Sequence, residues 1–156
     1  MKMKLASITP AILLGGLSAG VLDITAACIY GGLARGRSPI WVFQSVAGGL
    51  LGRDTFQGGL KTAALGLALH FFIATTWAAV YCLASLKLPL LARQTIICGV
   101  LYGVVVYLVM YALVLPLSAL NFKFFSQAPK VVLINVLIHI FCIGLPIALA
   151  ARWRAK

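Results

Sequence analysis

The chain has 156 residues, of which 63% are apolar and 10% are charged, and its mean hydropathy is +1.09. A soluble globular domain is typically about 45–50% apolar and about 25% charged, and a folded chain of this size has too little interior to hide the excess from water. The composition therefore excludes an ordinary soluble enzyme and a disordered chain. It predicts an integral membrane protein.

The basic residues are placed between apolar segments, as is typical of membrane proteins. Thirteen Lys and Arg residues stand against two acids, Asp23 and Asp54. The bases lie singly or in small groups between apolar runs, where they can meet anionic lipid headgroups, so we expect the lipid bilayer and not nucleic acid as the partner. With four crossings they divide seven to six between the two sides, and the basic C-terminal tail favours both termini in the cytoplasm.

Four apolar runs are long enough to cross a bilayer, which takes about 20 residues of helix. They cover about residues 8–33, 62–86, 95–117 and 131–151, and bases or prolines bound each of them. We therefore predict an all-α integral membrane protein, folded as a four-transmembrane-helix bundle in a single transmembrane domain over residues 1–156.

A shorter segment, about residues 38–52, lies between the first two runs. Ser38 suits a helix N-cap, Pro39 suits the first helical position, and Trp41 suits a membrane interface. The segment is too short to cross, so we predict an amphipathic interfacial or re-entrant helix; a fifth crossing in a thinned bilayer is the alternative. Its apolar residues recur at helical spacing opposite a more polar face, and the two sets are Phe43, Val46, Ala47, Leu50 and Leu51 against Gln44, Ser45, Gly48 and Gly49.

Pairs of glycines four residues apart recur along the chain. Small residues at this spacing let membrane helices approach closely, so the pattern predicts tight helix packing and reports no chemistry. The pairs are Gly16/Gly20, Gly32/Gly36, Gly48/Gly52 and Gly99/Gly103.

Ionisable residues inside the predicted helices point to a buried site. At 1.5 Å per residue, Asp23, His70, Tyr107 and His139 fall at a similar depth, and Asn135 lies one turn from His139 on the same face. A charged side chain in hydrocarbon is costly, so such residues face a bundle interior and often mark proton, ion or ligand sites. We predict a ligand or proton site formed by these five residues; a purely structural polar network is the alternative.

No catalytic residues are predicted, and a non-enzymatic protein is favoured. The sequence contains no Ser-His-Asp arrangement, P-loop or dinucleotide fingerprint. We also predict no cofactor and no metal. Two histidines on facing helices could hold haem b or a metal ion, so a haem or metal between His70 and His139 is the weaker alternative.

Several short motifs resemble one known family. They are His70-Phe-Phe-Ile, Ala79-Val-Tyr-Cys82, the stretch from Gly99 to Leu117 with its late Pro116, and Asn135 to His139. Together they are similar to the YagU-like small bacterial inner-membrane proteins, a family of unknown function. The resemblance covers about residues 65–151 and does not extend to residues 35–61. It implies a helical inner-membrane protein with histidines in its helices, and no catalytic assignment.

Two functions follow as hypotheses for this predicted inner-membrane protein. In the first, it binds or conducts a proton, ion or small ligand through the buried Asp/His cluster. Because four helices are few for a transporter acting alone, this hypothesis expects a homo-oligomer. In the second, it is a non-catalytic scaffold or interaction subunit whose glycine-rich faces bind a partner and whose polar cluster is structural.

Overall fold

A computed structural model describes residues 8–121 and 127–154, and this part of the chain is helical without a strand. Four helices are long and apolar enough to cross a membrane, which confirms the predicted all-α fold with four such helices. The helices are α1 (Ile8–Arg35), α2 (Pro39–Leu51), α3 (Gly59–Lys87), α4 (Leu90–Arg93), α5 (Thr95–Leu117) and α6 (Pro129–Trp153), with a 3₁₀ turn (Gly52–Gln57) between α2 and α3.

The outer surfaces of the four long helices are apolar. Large side chains point away from the protein on every one of them; Phe72 on α3 and Leu101 on α5, for example, are 70% and 60% exposed. Soluble monomers rarely present apolar surface on this scale. The arrangement is typical of a helix bundle whose outer faces contact lipid.

The short helix α2 starts as the sequence predicts. The Ser38 side chain accepts a hydrogen bond from the backbone N–H of Trp41 at 3.2 Å, and Pro39 occupies the first helical position. Both features satisfy the needs of a helix N-terminus, where backbone N–H groups lack partners in the helix itself.

The structure gives the orientation of the two faces of α2, which the sequence left open. Gln44 and Gly48 are buried, whereas Leu50 and Leu51 are exposed. The Gln44 side chain donates hydrogen bonds to the backbone oxygen of Gly59 at 3.0 Å and to the Thr62 hydroxyl at 3.3 Å. The more polar side of α2 therefore packs against the start of α3.

Glycines bring three pairs of helices into backbone contact. A Cβ added to Gly16 would lie 2.7 Å from Thr75 of α3, and one added to Gly103 would lie 2.6 Å from the Ile140 backbone of α6. A Cβ on Gly66 of α3 would overlap the Phe43 backbone of α2. Tight packing is thus confirmed at Gly16/Gly20 and Gly99/Gly103; at Gly36 it is wrong, because an added Cβ there would meet no atom within 4 Å.

Helices α3 and α5 meet through aromatic side chains. The Tyr102 hydroxyl on α5 donates a hydrogen bond to the backbone oxygen of Trp77 on α3 at 2.6 Å. The Tyr102 ring also packs edge-on against Tyr81 of α3, with 4.8 Å between ring centroids. These large rings keep the two helix backbones apart.

Two prolines widen the helices in front of them. A proline ring clashes with the carbonyl four residues earlier, so the preceding turn must open or the helix must end. Here the turns open into π-helix at Met110–Val114 and at His139–Gly144, each ending two residues before Pro116 or Pro146. Both prolines lie late in their apolar runs, where a helix end is expected. Helix α5 does end at Leu117, one residue after Pro116, whereas α6 continues well beyond Pro146.

We expect Gly144→Ala to destabilise the protein by about 1–3 kcal/mol, as overpacking of a tight interior does. A Cβ at Gly144 would lie 2.6 Å from the backbone nitrogen of Gly103 and would push α6 away from α5. The measurement is the thermal unfolding midpoint of the purified protein in detergent.

Gly32→Ala is the matched control, because its Cβ would meet only the Arg37 backbone oxygen, at 3.8 Å. We expect it to leave the midpoint unchanged or to raise it slightly, since alanine favours helix over glycine. Equal midpoints for the two variants would show that the α5–α6 contact is not tight.

Candidate functional site: a cavity among the helices

A cavity of about 420 Å³ lies inside the bundle, and α1, α2, α3, α5 and α6 all contribute to its wall. Along α3 the lining extends from Leu69 to Trp77, which corresponds to about 12 Å at 1.5 Å per residue. Most lining side chains are apolar. The cavity occupies the space between α3 and α5, where no glycine contact draws the helices together.

The two ends of the cavity are built differently. At one end lies Trp77, whose backbone oxygen accepts a hydrogen bond from the Tyr102 hydroxyl. At the other end α2 contributes Val46 and Gly49 to the wall, and the Gly49 backbone oxygen accepts a hydrogen bond from the Ala119 N–H at 2.9 Å. Helix α2 is therefore part of the cavity wall, tied to α3 and to the segment after α5.

Three of the five predicted site residues line this cavity. Asp23 comes from α1, His70 from α3 and His139 from α6. The other two do not line it. Tyr107 is 1% exposed and packs beside His139, and the Asn135 side chain donates a hydrogen bond to the Val131 backbone oxygen of its own helix at 2.9 Å.

Each histidine ring forms a hydrogen bond with a backbone carbonyl. His70 Nε2 lies 2.9 Å from the Gly20 oxygen, which joins α3 to α1 one turn from Asp23. His139 Nδ1 lies 2.8 Å from the Asn135 oxygen in its own helix. A carbonyl oxygen can only accept, so the ring nitrogen donates in both cases. A neutral ring has one N–H, so in their neutral forms the two histidines are opposite tautomers, Nε2–H for His70 and Nδ1–H for His139.

Aromatic rings hold His139 in place. The rings of Tyr107 and Tyr111 pack edge-on against its imidazole, with centroid distances of 5.5 and 5.8 Å, and stack on each other at 4.6 Å. Of these two tyrosines, Tyr111 lines the cavity. The sequence places both tyrosines on one face of α5, and Tyr111 lies in the π-turn, which precedes Pro116. Pro116 was the one feature of the sequence that could have indicated a distorted turn around Tyr111.

Asp23 is the charged group of the cavity wall. Its side chain is half-buried, and no group among the residues that the structure describes donates a hydrogen bond to its carboxylate. It lies within electrostatic range of His139 and Tyr111. Its neighbours in the wall are mostly apolar, so this carboxylate stands in surroundings of low polarity.

The metal and haem alternatives can be compared with this geometry. Within residues 8–121 and 127–154 no group of three or more His, Cys, Asp and Glu side chains is placed to hold a metal ion. Ligation of haem iron through His70 Nε2 would break its hydrogen bond to Gly20. The absence of a cofactor stays a prediction.

Comparison of the chain with known protein families, with curated proteins and with solved structures gave no match. The fold and site thus define a class only: a bundle of four long apolar helices around a partly open cavity lined by one acid and two histidines. The resemblance to YagU-like proteins stays a prediction from the sequence motifs.

The two histidine tautomers can be tested by ¹⁵N solid-state NMR of histidine-labelled protein in lipid. We expect the neutral form of each imidazole to carry its proton at Nε2 in His70 and at Nδ1 in His139, because each of these nitrogens faces a backbone carbonyl. A His139→Gln sample assigns the two sets of signals. Two rings in the same tautomer would contradict at least one of the hydrogen bonds.

Proposed function

We propose that this chain is an integral protein of a plasma membrane, namely a bacterial inner membrane. The four long apolar helices and their outward-facing apolar side chains support this location. Near the start of α2, the Arg37 guanidinium lies 4.4 Å from the centre of the Trp41 ring, and that ring stacks on Phe56 at 5.1 Å. Such an aromatic and basic group suits the headgroup region, with α2 at the interface or re-entrant.

We propose further that the protein binds a small organic molecule in the central cavity. The size of the cavity carries this proposal. At about 30 Å³ per water molecule, 420 Å³ has room for about 14 waters, far more than a bare ion or a single file of water needs. Pockets of this size with an apolar wall and a few convergent polar groups are typical of small-molecule sites.

The hydrogen bonds favour ligand binding over proton conduction. A proton relay needs titratable groups that pass hydrogen bonds to one another. In this chain His70 and His139 each direct an N–H at a backbone oxygen, at 2.9 and 2.8 Å, and not at each other. Both rings are therefore fixed in orientation, which suits the positioning of a ligand.

The scaffold hypothesis has less support from the packing. It needs glycine-rich faces that are available to a partner. Gly16 and Gly20 already contact α3, and Gly99 and Gly103 already contact α6. These four glycines are occupied within one chain, and Gly32 and Gly36 at the end of α1 are left as an open pair.

The test of small-molecule binding uses the position of Trp77 in the cavity wall. A Trp41→Phe/Trp153→Phe background leaves Trp77 as the one fluorescent tryptophan. Bromobenzene is the probe, because its heavy atom quenches tryptophan emission at short range. We expect saturable quenching of Trp77 in the purified protein, and loss of the saturable part in Ala27→Phe, which places a ring in the cavity.

Ala64→Phe is the matched control, since Ala64 is exposed on the outer side of α3. It should keep saturable quenching, while partition of bromobenzene into detergent gives only a linear background. Linear quenching alone in the unmodified cavity would overturn the proposal of a small-molecule site.

A further inference from the structure

We propose that the cavity selects a small organic cation, with its positive group at Asp23 and an apolar remainder along α3 and α5. This inference rests on the proposed small-molecule binding and adds the chemical class of the ligand. It depends on the charges, the hydrogen-bond donors and the aromatic rings of the cavity wall.

Apart from its two histidines, the wall takes its charge from one residue. Asp23 is the only acidic residue that lines the cavity among the described residues, and neither Lys nor Arg lines it. A carboxylate in surroundings of low polarity interacts strongly with an opposite charge, because water screens the pair poorly. A ligand with a positive group would neutralise Asp23, whereas an anionic ligand would place two like charges together.

Six side chains of the wall carry a hydrogen-bond donor, and four of them direct it at a backbone carbonyl; the other two are Trp77 and Tyr111. His70 and His139 donate to the backbone oxygens of Gly20 and Asn135. The two serines of the wall each donate to the backbone oxygen three residues earlier: Ser45 to Val42 at 2.6 Å and Ser118 to Leu115 at 2.7 Å.

These four side chains thus have their donor hydrogens on backbone carbonyls, and what each retains is lone-pair acceptor capacity. The Asp23 carboxylate, when ionised, is also an acceptor only. With acceptors in the majority and one carboxylate, the wall favours a ligand that donates hydrogen bonds or carries positive charge over a carboxylate, sulfonate or phosphate.

The aromatic members of the wall suit the same ligand. Trp77 and Tyr111 line the cavity from α3 and α5, and their rings are neutral. The faces of such rings attract cations, tryptophan most strongly, and the attraction grows when water is excluded. An ammonium group with an aromatic or branched alkyl body fits both the charge and the apolar surface of this site.

The test compares three probes of one shape and different charge: benzyltrimethylammonium, its neutral isostere neopentylbenzene, and the anion phenylmethanesulfonate. Binding to the full chain in detergent is measured through Trp77 emission in the Trp41→Phe/Trp153→Phe background. We expect the cation to bind at least about tenfold more tightly than either analogue, a difference of about 1.4 kcal/mol.

Asp23→Asn removes the charge with little change in size, and we expect it to weaken binding of the cation about tenfold or more. Binding of neopentylbenzene should change little, which also shows that the variant is folded. Asp23→Glu retains the charge and should retain most of the preference for the cation. If Asp23→Asn fails to fold, the ranking of the three probes on the protein that retains Asp23 still tests the cation preference.

The outcomes separate the two proposals. Equal or tighter binding of neopentylbenzene or phenylmethanesulfonate would overturn the cation preference and leave small-molecule binding standing. Binding of bromobenzene without binding of benzyltrimethylammonium would likewise overturn the cation preference and leave small-molecule binding standing. Failure of bromobenzene and of all three probes would overturn the small-molecule site itself, and the cation preference with it.

Discussion

Helices surrounded by hydrocarbon gain little from burying apolar surface against one another, so close van der Waals packing must hold them together. In this chain, backbone contact at Gly16, Gly103 and Gly66 joins α1 to α3, α5 to α6 and α2 to α3. Helices α3 and α5 are instead separated by the rings of Trp77 and Tyr102, which pack edge-on with 6.1 Å between centroids. The Tyr102 hydroxyl also donates a hydrogen bond to the Trp77 backbone oxygen at 2.6 Å. The cavity is the space left where large side chains replace glycine at a helix interface.

The polar groups of this cavity divide into two kinds. The histidines and serines are satisfied by backbone carbonyls, as expected for buried polar side chains in stable helices. Asp23 is different, because no group among the described residues donates a hydrogen bond to it. A carboxylate without such partners in apolar surroundings is costly to the fold. Its presence is understandable if a molecule from outside the chain compensates its charge.

Much of the fold could be predicted from the sequence because the lengths of apolar runs and the Ser38 cap depend on local chemistry alone. The rise per residue predicts a similar depth for Asp23, His70 and His139, and all three line the same cavity. Two features could not be predicted in this way. The buried face of α2 is decided by hydrogen bonds from Gln44 to a distant helix, and the choice of Tyr111 over Tyr107 in the cavity wall depends on how α5 packs.

The two π-turns change which residues lie on each face of α5 and α6. A π-turn adds one residue to a turn, so the helix beyond it is rotated by about 100° relative to an uninterrupted α-helix. In α5 and α6 the residues after Val114 and Gly144 therefore occupy positions that an α-helical projection assigns to their neighbours. Alignment of this chain with any distant relative should allow a one-residue gap in front of Pro116 and Pro146, because a homologue without the proline can present the same faces with one residue fewer.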